Sequence, residues 1–147
     1  MKKPVLSLFT LVLFAGFFAF NFASKKKESI QGAWILIEGK RVTETETINY
    51  PASGARHMKI ISENHFATIS KNANNENSGF YNGGSYTLKD GIYTETLTFF
   101  SNSEMIGTTV CFKIRLEGNR FYIDSCDENG KLGKMSFSEV WEKAPSE

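Results

Sequence analysis

From Ser24 to Glu147 the apolar positions of this chain repeat with period two. No window sustains the i, i+3, i+4, i+7 spacing of an amphipathic helix. Short alternating segments recur instead, separated by clusters of Gly, Asn, Asp and Ser. The pattern predicts strands near Gln31–Glu38, Arg41–Asn49, Arg56–Ser62, His65–Lys71, Gly79–Lys89, Ile92–Phe100, Thr108–Glu117, Arg120–Cys126 and Lys134–Lys143. Asn72–Ser78 reads as a polar loop, and Ser101–Gly107 as a second loop with room for one helical turn. The short connections favour antiparallel neighbours. An all-β meander of this size closes as a barrel or folds as a sandwich. Closure also removes the two edges that an open sheet leaves exposed. The fold expected is therefore an antiparallel up-and-down barrel.

Two hairpins fix their own register. A two-residue turn at Gly118–Asn119 pairs Leu116 with Phe121 and Ile114 with Ile123 on one face. On the other face it pairs Glu117 with Arg120, Lys113 with Asp124, and Cys111 with Cys126. Apolar meets apolar and opposite charges meet, as cross-strand neighbours prefer. A slip of one residue would lose both sets at once. The Asp90–Gly91 turn likewise pairs Leu88 with Tyr93, Thr87 with Thr94 and Tyr86 with Glu95. The first register brings Cys111 and Cys126 within bridging range, and an exported chain would keep them oxidised. Two free thiols are the alternative.

The N-terminus changes the compartment. Lys2 and Lys3 precede an apolar run from Val5 to Phe20, and Lys25-Lys26-Lys27 follow it. This reads as a signal peptide over residues 1–23, with a basic flank at 24–29, a domain at 30–143 and a tail at 144–147. The rival is an uncleaved anchor over residues 5–23, close to a bilayer's thickness. Composition adds two exclusions. At 41% hydrophobic, with 17 basic against 16 acidic residues, the chain is neither disordered nor electrostatically suited to nucleic acid. Removing Lys2 and Lys3 from the 17 basic residues leaves 15 against 16 acidic ones, so a cleaved form stays near neutral. A membrane partner is then expected only through an uncleaved N-terminal segment.

Gly32-Ala33-Trp34 on the first expected strand resembles the Gly-x-Trp signature of the lipocalin and calycin barrels. Further segments are similar to a lipocalin-like family of bacterial envelope proteins. They are Lys59 to Phe66, Gly83 to Leu88, Tyr93 to Thr96, Met105 to Gly107 and Glu139 to Lys143, and together they cover most of residues 30–143. The resemblance implies a barrel of about eight to ten strands with one pocket. It also implies that Trp34 closes one end beneath a basic side chain, with Lys143 and Arg120 both qualifying. Trp141 belongs to the same signature set.

Alternate residues of a small barrel point inward. Tyr86, Leu88, Tyr93, Glu95, Leu97 and Phe99 share one parity. If that parity is the interior, Glu95 is an acid among aromatic rings and needs a partner or a raised pKa. His65, Lys59 and Arg56 lie on or between neighbouring strands and are candidates to supply it. The resulting expectation is a mostly apolar pocket with Tyr86, Tyr93, Glu95 and His65 at its polar end, suited to a small hydrophobic or amphipathic molecule. The plainer alternative makes Tyr86, Tyr93 and Trp141 ordinary core, with Glu95 and His65 facing water.

Other chemistry is sparse. His57 and His65 are the only histidines and form no ligand pattern, so neither a metal nor a cofactor is expected. No Gly-rich loop opens a helix and no nucleophile elbow is present. The Thr43–Thr47 stretch reads as a solvated strand edge or outer wall. Three functions remain. The first is a non-catalytic binding protein, periplasmic or secreted. The second is a cavity enzyme using Glu95 and His65 as an acid–base pair. The third is an envelope interaction module with a filled barrel.

Overall fold

The computed structural model describes residues 29–51, 53–72, 79–126 and 135–145. The expected signal segment at 1–23 and residues 24–28 of the expected basic flank lie outside the described residues. Among the described residues nine strands run β1 Gly32–Val42, β2 Thr47–Tyr50, β3 Arg56–Ile61, β4 His65–Lys71, β5 Tyr81–Lys89, β6 Ile92–Phe100, β7 Thr109–Glu117, β8 Arg120–Ser125 and β9 Ser136–Lys143. Every pairing is antiparallel. From β3 to β9 each strand pairs with the next, and β1 pairs with both β3 and β9. Eight strands therefore close into a barrel. The short β2 lies outside that ring, paired to the far half of β1. One turn of 3₁₀ helix, Ser103–Met105, fills the loop after β6.

The expected second strand is not one element. Arg41 and Val42 finish β1, and the chain reverses at Thr43–Glu46, where the Thr43 amide donates to the Glu46 carbonyl at 2.9 Å. The Thr43 hydroxyl accepts from the Glu46 amide at 3.1 Å. Thr43–Glu46 is thus a turn held by its own side chain, and not an outer wall. The other strands fall within a few residues of expectation.

Both hairpin registers hold. Leu116 faces Phe121, Ile114 faces Ile123 and Glu117 faces Arg120. Leu88 faces Tyr93 and Tyr86 faces Glu95. The buried face is the one carrying Phe121 and Ile123, and across the ring it meets Trp34, Trp141, Tyr93, Leu97 and Phe66. One parity expectation fails beyond Leu97. There β6 carries an extra residue, Thr98, because Gly84 pairs with Leu97 while Gly83 pairs with Phe99. The bulge reverses the facing of everything after it. Phe99 is 69% exposed, and Phe100 turns in to pack edge-on against Phe80 at 5.1 Å. Gly84 permits this, since a Cβ there would overlap the Thr96 carbonyl oxygen.

Cys111 and Cys126 are bridged, with Cα atoms 5.4 Å apart, and the Cys126 amide donates to the Cys111 carbonyl at 3.1 Å. The loop is already closed by the β7–β8 hairpin, which limits the entropy the bridge removes. Cys111→Ser with Cys126→Ser is expected to lower stability by about 1–3 kcal/mol without loss of fold. Urea unfolding under oxidising conditions checks this. A larger loss, with a changed denaturant slope, would mean that the hairpin does not form unaided.

Candidate functional site

The interior divides along the barrel axis. The lower end is where β1 begins, and there Ile30, Trp34, Ile61, Phe66, Tyr93 and Phe121 are all buried. Trp34 Nε1 donates to the Ile30 carbonyl at 2.7 Å. Lys143 Nζ lies 4.4 Å from the Trp34 ring centroid and donates to the Gln31 carbonyl at 2.5 Å. Lys143 is therefore the basic partner of Trp34. Arg120 sits on the exposed wall opposite Glu142. The Tyr86 ring packs 5.0 Å from that of Tyr93, and its hydroxyl donates to the carbonyls of Ser62 and Glu63, both at 2.9 Å. Tyr86 thus ties the β3–β4 turn across the lower end.

At mid-height Lys59 Nζ meets Glu95 Oε1 at 2.7 Å, with both side chains 5% exposed. The alternation of β3 turns Lys59 inward beside Ile61, and that of β6 turns Glu95 inward between Tyr93 and Leu97. The ammonium is ringed by Phe66 at 5.3 Å, Tyr93 at 5.7 Å and Trp141 at 5.5 Å. Ring faces and one carboxylate replace its hydration shell. Tyr93 is 0% exposed, and its hydroxyl has no hydrogen-bond partner of normal geometry. Burial first, and the Glu95 carboxylate second, push its ionisation far above the usual phenol range.

Of the residues expected at Glu95, Lys59 is the partner found. His65 and Arg56 are exposed on the outer wall. His65 shares a hydrogen bond of 2.5 Å with its neighbour Asn64. Two residues at odd register positions from the inward Lys59 and Phe66 cannot reach the interior. The Glu95–His65 acid–base pair is therefore not formed, because the two side chains lie on opposite faces of the sheet.

Above the ion pair the interior turns polar. Tyr50 donates to Glu139 Oε1 at 2.8 Å, and Trp141 Nε1 donates to Glu139 Oε2 at 2.8 Å. His57 Nδ1 and Ser70 Oγ share a hydrogen bond of 2.8 Å. Burial first, then Glu139, hold the Tyr50 hydroxyl in its neutral form. Three more buried polar atoms here lack partners: Arg41 Nε, Thr68 Oγ1 and Asn82 Oδ1. Thr68 and Asn82 face each other across β4 and β5, and Arg41 faces the half-buried Phe137 across β1 and β9. With Tyr93, the four such atoms found among the described residues belong to inward-facing strand positions. The apolar side chains around this end are Phe80, Phe100, Met105, Ile106, Val110 and Phe137.

Residues 29–147 match the family model described as a domain of unknown function, DUF4488. The chain belongs to the DUF4488 family. No curated protein matches it. Among solved structures, it is similar to a redesigned beta barrel at 11% identity and a TM-score of 0.46, covering 78% of this chain and 91% of that one.

Sequence reasoning about this DUF4488 domain missed the upper polar group. His57 shares the parity of Lys59, and Thr68 and Ser70 share that of Phe66, so strand alternation carried the signal for those three. Arg41 was hidden, because the β1 register shifts between Leu36 and Glu38 and reverses the facing beyond it. The DUF4488 barrel also carries a groove of about 390 Å³ on its outer wall, where Lys40, Lys113, Asp124 and Ser138 line the β7–β8–β9–β1 surface. Among the described residues no three His, Cys, Asp or Glu side chains gather to hold a metal ion.

His57 gives the site a pH dependence. Burial holds its pKa below the ordinary 6.5, with Glu139 opposing. The unfolded chain therefore binds this proton more readily. The contribution of neutral His57 is complete above about pH 6.5 and is lost as pH falls through the lowered folded value. The urea midpoint is expected to drop between about pH 7.5 and 5.5, and to drop less in His57→Asn. Equal slopes in the two proteins would remove His57 from the account.

Proposed function

We propose that this DUF4488 barrel is an exported, lipocalin-like, non-catalytic binding protein that takes a small amphipathic molecule into its upper half, polar part first. The observation that carries the reading is a set of buried polar atoms without partners among the described residues, on the inward-facing Thr68, Asn82 and Tyr93, joined by Nε of Arg41, whose part-exposed guanidinium also reaches Glu46 at 3.8 Å. A buried polar group left unpaired costs about 1–3 kcal/mol, so several in one interior call for an occupant. A guest with hydroxyl, carbonyl or amide groups would satisfy them, and its apolar part would meet Phe80, Phe100 and Ile106. Two features support the rest of the reading. Trp34 beneath Lys143 is the closure that the Gly-x-Trp resemblance implies. The Cys111–Cys126 bridge suits an oxidising compartment, in line with a signal peptide at residues 1–23.

The test is native mass spectrometry on protein purified from its own host. A mass above that of the chain, released on denaturation and reduced in Arg41→Met, is the expected result. An empty barrel in both proteins would overturn the proposal, since ordered water would then be the occupant. That result would favour the interaction-module reading, which the ring-filled lower half already suits.

A further inference from the structure

At mid-height the barrel shows how its interior holds an ammonium. Lys59 Nζ has one carboxylate, Glu95, at 2.7 Å, and the rings of Phe66, Tyr93 and Trp141 at 5.3, 5.7 and 5.5 Å. Higher up, part of this arrangement recurs without the cation. Glu139 follows the inward parity of Trp141 on β9, and its two oxygens accept from the Tyr50 hydroxyl and from Trp141 Nε1, each at 2.8 Å. Each oxygen keeps a further lone pair for a guest. Tyr50 reaches Glu139 from outside the ring. Its strand β2 pairs it with Gly39 of β1, and a Cβ on Gly39 would overlap the Tyr50 ring. The bare backbone at Gly39 therefore lets Tyr50 cross β1 to Glu139 on β9. The short extra strand thus helps to fix this carboxylate in place.

We propose that the polar part of the guest is an organic ammonium held by Glu139, so that the barrel selects cationic over neutral and anionic amphiphiles. This rests on the internal-guest reading above and names the charge of that guest. Charges withdrawn from water are ordinarily paired, yet among the described residues no cation forms an ion pair with Glu139. The basic groups around it are engaged or neutral. Lys59 is held by Glu95, and Arg41 reaches away to Glu46 at 3.8 Å. Burial keeps the pKa of His57 below the ordinary 6.5. A metal ion would need further ligands, and among the described residues no three His, Cys, Asp or Glu side chains gather. An ammonium needs only a carboxylate, ring faces and acceptors for its N–H groups.

A second observation points to a donor-rich guest. Thr68 is 5% exposed and faces inward, and its Oγ1 has no partner. Asn82 stands opposite it across β4 and β5, and its unpartnered atom is an oxygen, which can only accept. With Glu139, the upper interior therefore offers acceptors from three strands and calls for N–H donors. Arg41 Nε is the exception, a donor on a part-exposed side chain. An anionic head would supply no donor and would meet the carboxylates of Glu139 and Glu95.

Equilibrium dialysis of the full chain, shown empty by native mass spectrometry at the start, tests this. The probes are octylamine, N-octylacetamide and octanoate, at neutral pH, where the amine is protonated. Octylamine should bind about tenfold or more tighter than the amide, and octanoate most weakly. Glu139→Gln should bring the ratio of amine to amide affinity close to one. The change from amine to amide is made on the probe, so that comparison stands whatever Glu139→Gln does to stability. An amide or octanoate that binds as tightly as the amine overturns the proposal and leaves the internal-guest reading in place. A preference for the amine that persists in folded Glu139→Gln also overturns it, by placing the attraction elsewhere. Failure of all three probes to bind removes the internal guest and this proposal together.

Discussion

Lys59→Met is expected to lower the free energy of unfolding by about 3–5 kcal/mol. Methionine fits the space of the lysine stem, so the loss is electrostatic. It leaves the Glu95 carboxylate 5% exposed and without the Lys59 ammonium, its one ion-pair partner within 4 Å among the described residues. The pair itself contributes less than this figure, because two ions had to leave water to form it. The double variant separates the two quantities. Lys59→Met with Glu95→Leu removes the stranded carboxylate and should regain most of the loss. Urea midpoints at neutral pH decide between them. If the double variant is no more stable than the single, the ammonium acts through its contacts with Phe66, Tyr93 and Trp141, and not through Glu95.

Tyr93 bears on the same point. Its hydroxyl makes no hydrogen bond of normal geometry among the described residues and faces the Glu95 carboxylate of the ion pair from within the lower core. In an empty barrel, Tyr93→Phe should be neutral or stabilising, because it deletes an unpaired polar group without deleting volume. In a barrel holding a guest bonded to that hydroxyl, the same change should reduce retention. Stability and retention would then move in opposite directions. A purely structural Tyr93 would not produce that split.

How far the interior was legible depended on bulges. Where strands ran without interruption, alternation and turn chemistry sufficed. Gly118–Asn119 and Asp90–Gly91 set registers that placed Phe121, Ile123, Tyr93 and Glu95 inside. Lys59 was already a candidate for Glu95 by strand proximity. Its rivals His65 and Arg56 fail on parity alone, since neither shares a face with the residues buried on its own strand. What one strand's pattern could not show were the shifts at Leu36–Glu38 and at Gly83–Gly84. A bulge is a property of two strands together, so it reverses facing without any mark in the period-two pattern of either. Phe99 was assigned inward and Arg41 was passed over for that one reason. The Thr43–Glu46 turn was missed differently. Its β-branched and charged residues read as strand, while the reversal rests on the Thr43 hydroxyl.

Trp34→Ala should cost about 3–5 kcal/mol, through the cavity left at the lower end. The ring is 2% exposed, lies 5.3 Å from Phe121, and carries the hydrogen bond to Ile30. Three variants divide its contributions. Trp34→Phe keeps most of the apolar burial but leaves the Ile30 carbonyl unpaired, at about 1–3 kcal/mol. Lys143→Met keeps the stem over the ring and removes the charge, at about 0.5–1 kcal/mol for an exposed cation. The expected order is therefore Trp34→Ala, then Trp34→Phe, then Lys143→Met, read from urea midpoints. Gly32 belongs to the same closure. Its φ of 127° lies where side chains are strained, and a Cβ would fall on the Lys143 ammonium. The glycine therefore clears the path by which Lys143 reaches the Gln31 carbonyl above the ring. If Lys143→Met proved as damaging as Trp34→Ala, the cation and not the buried ring would be closing this end. Gly32 would then matter for admitting the charge, and the cavity argument would not hold.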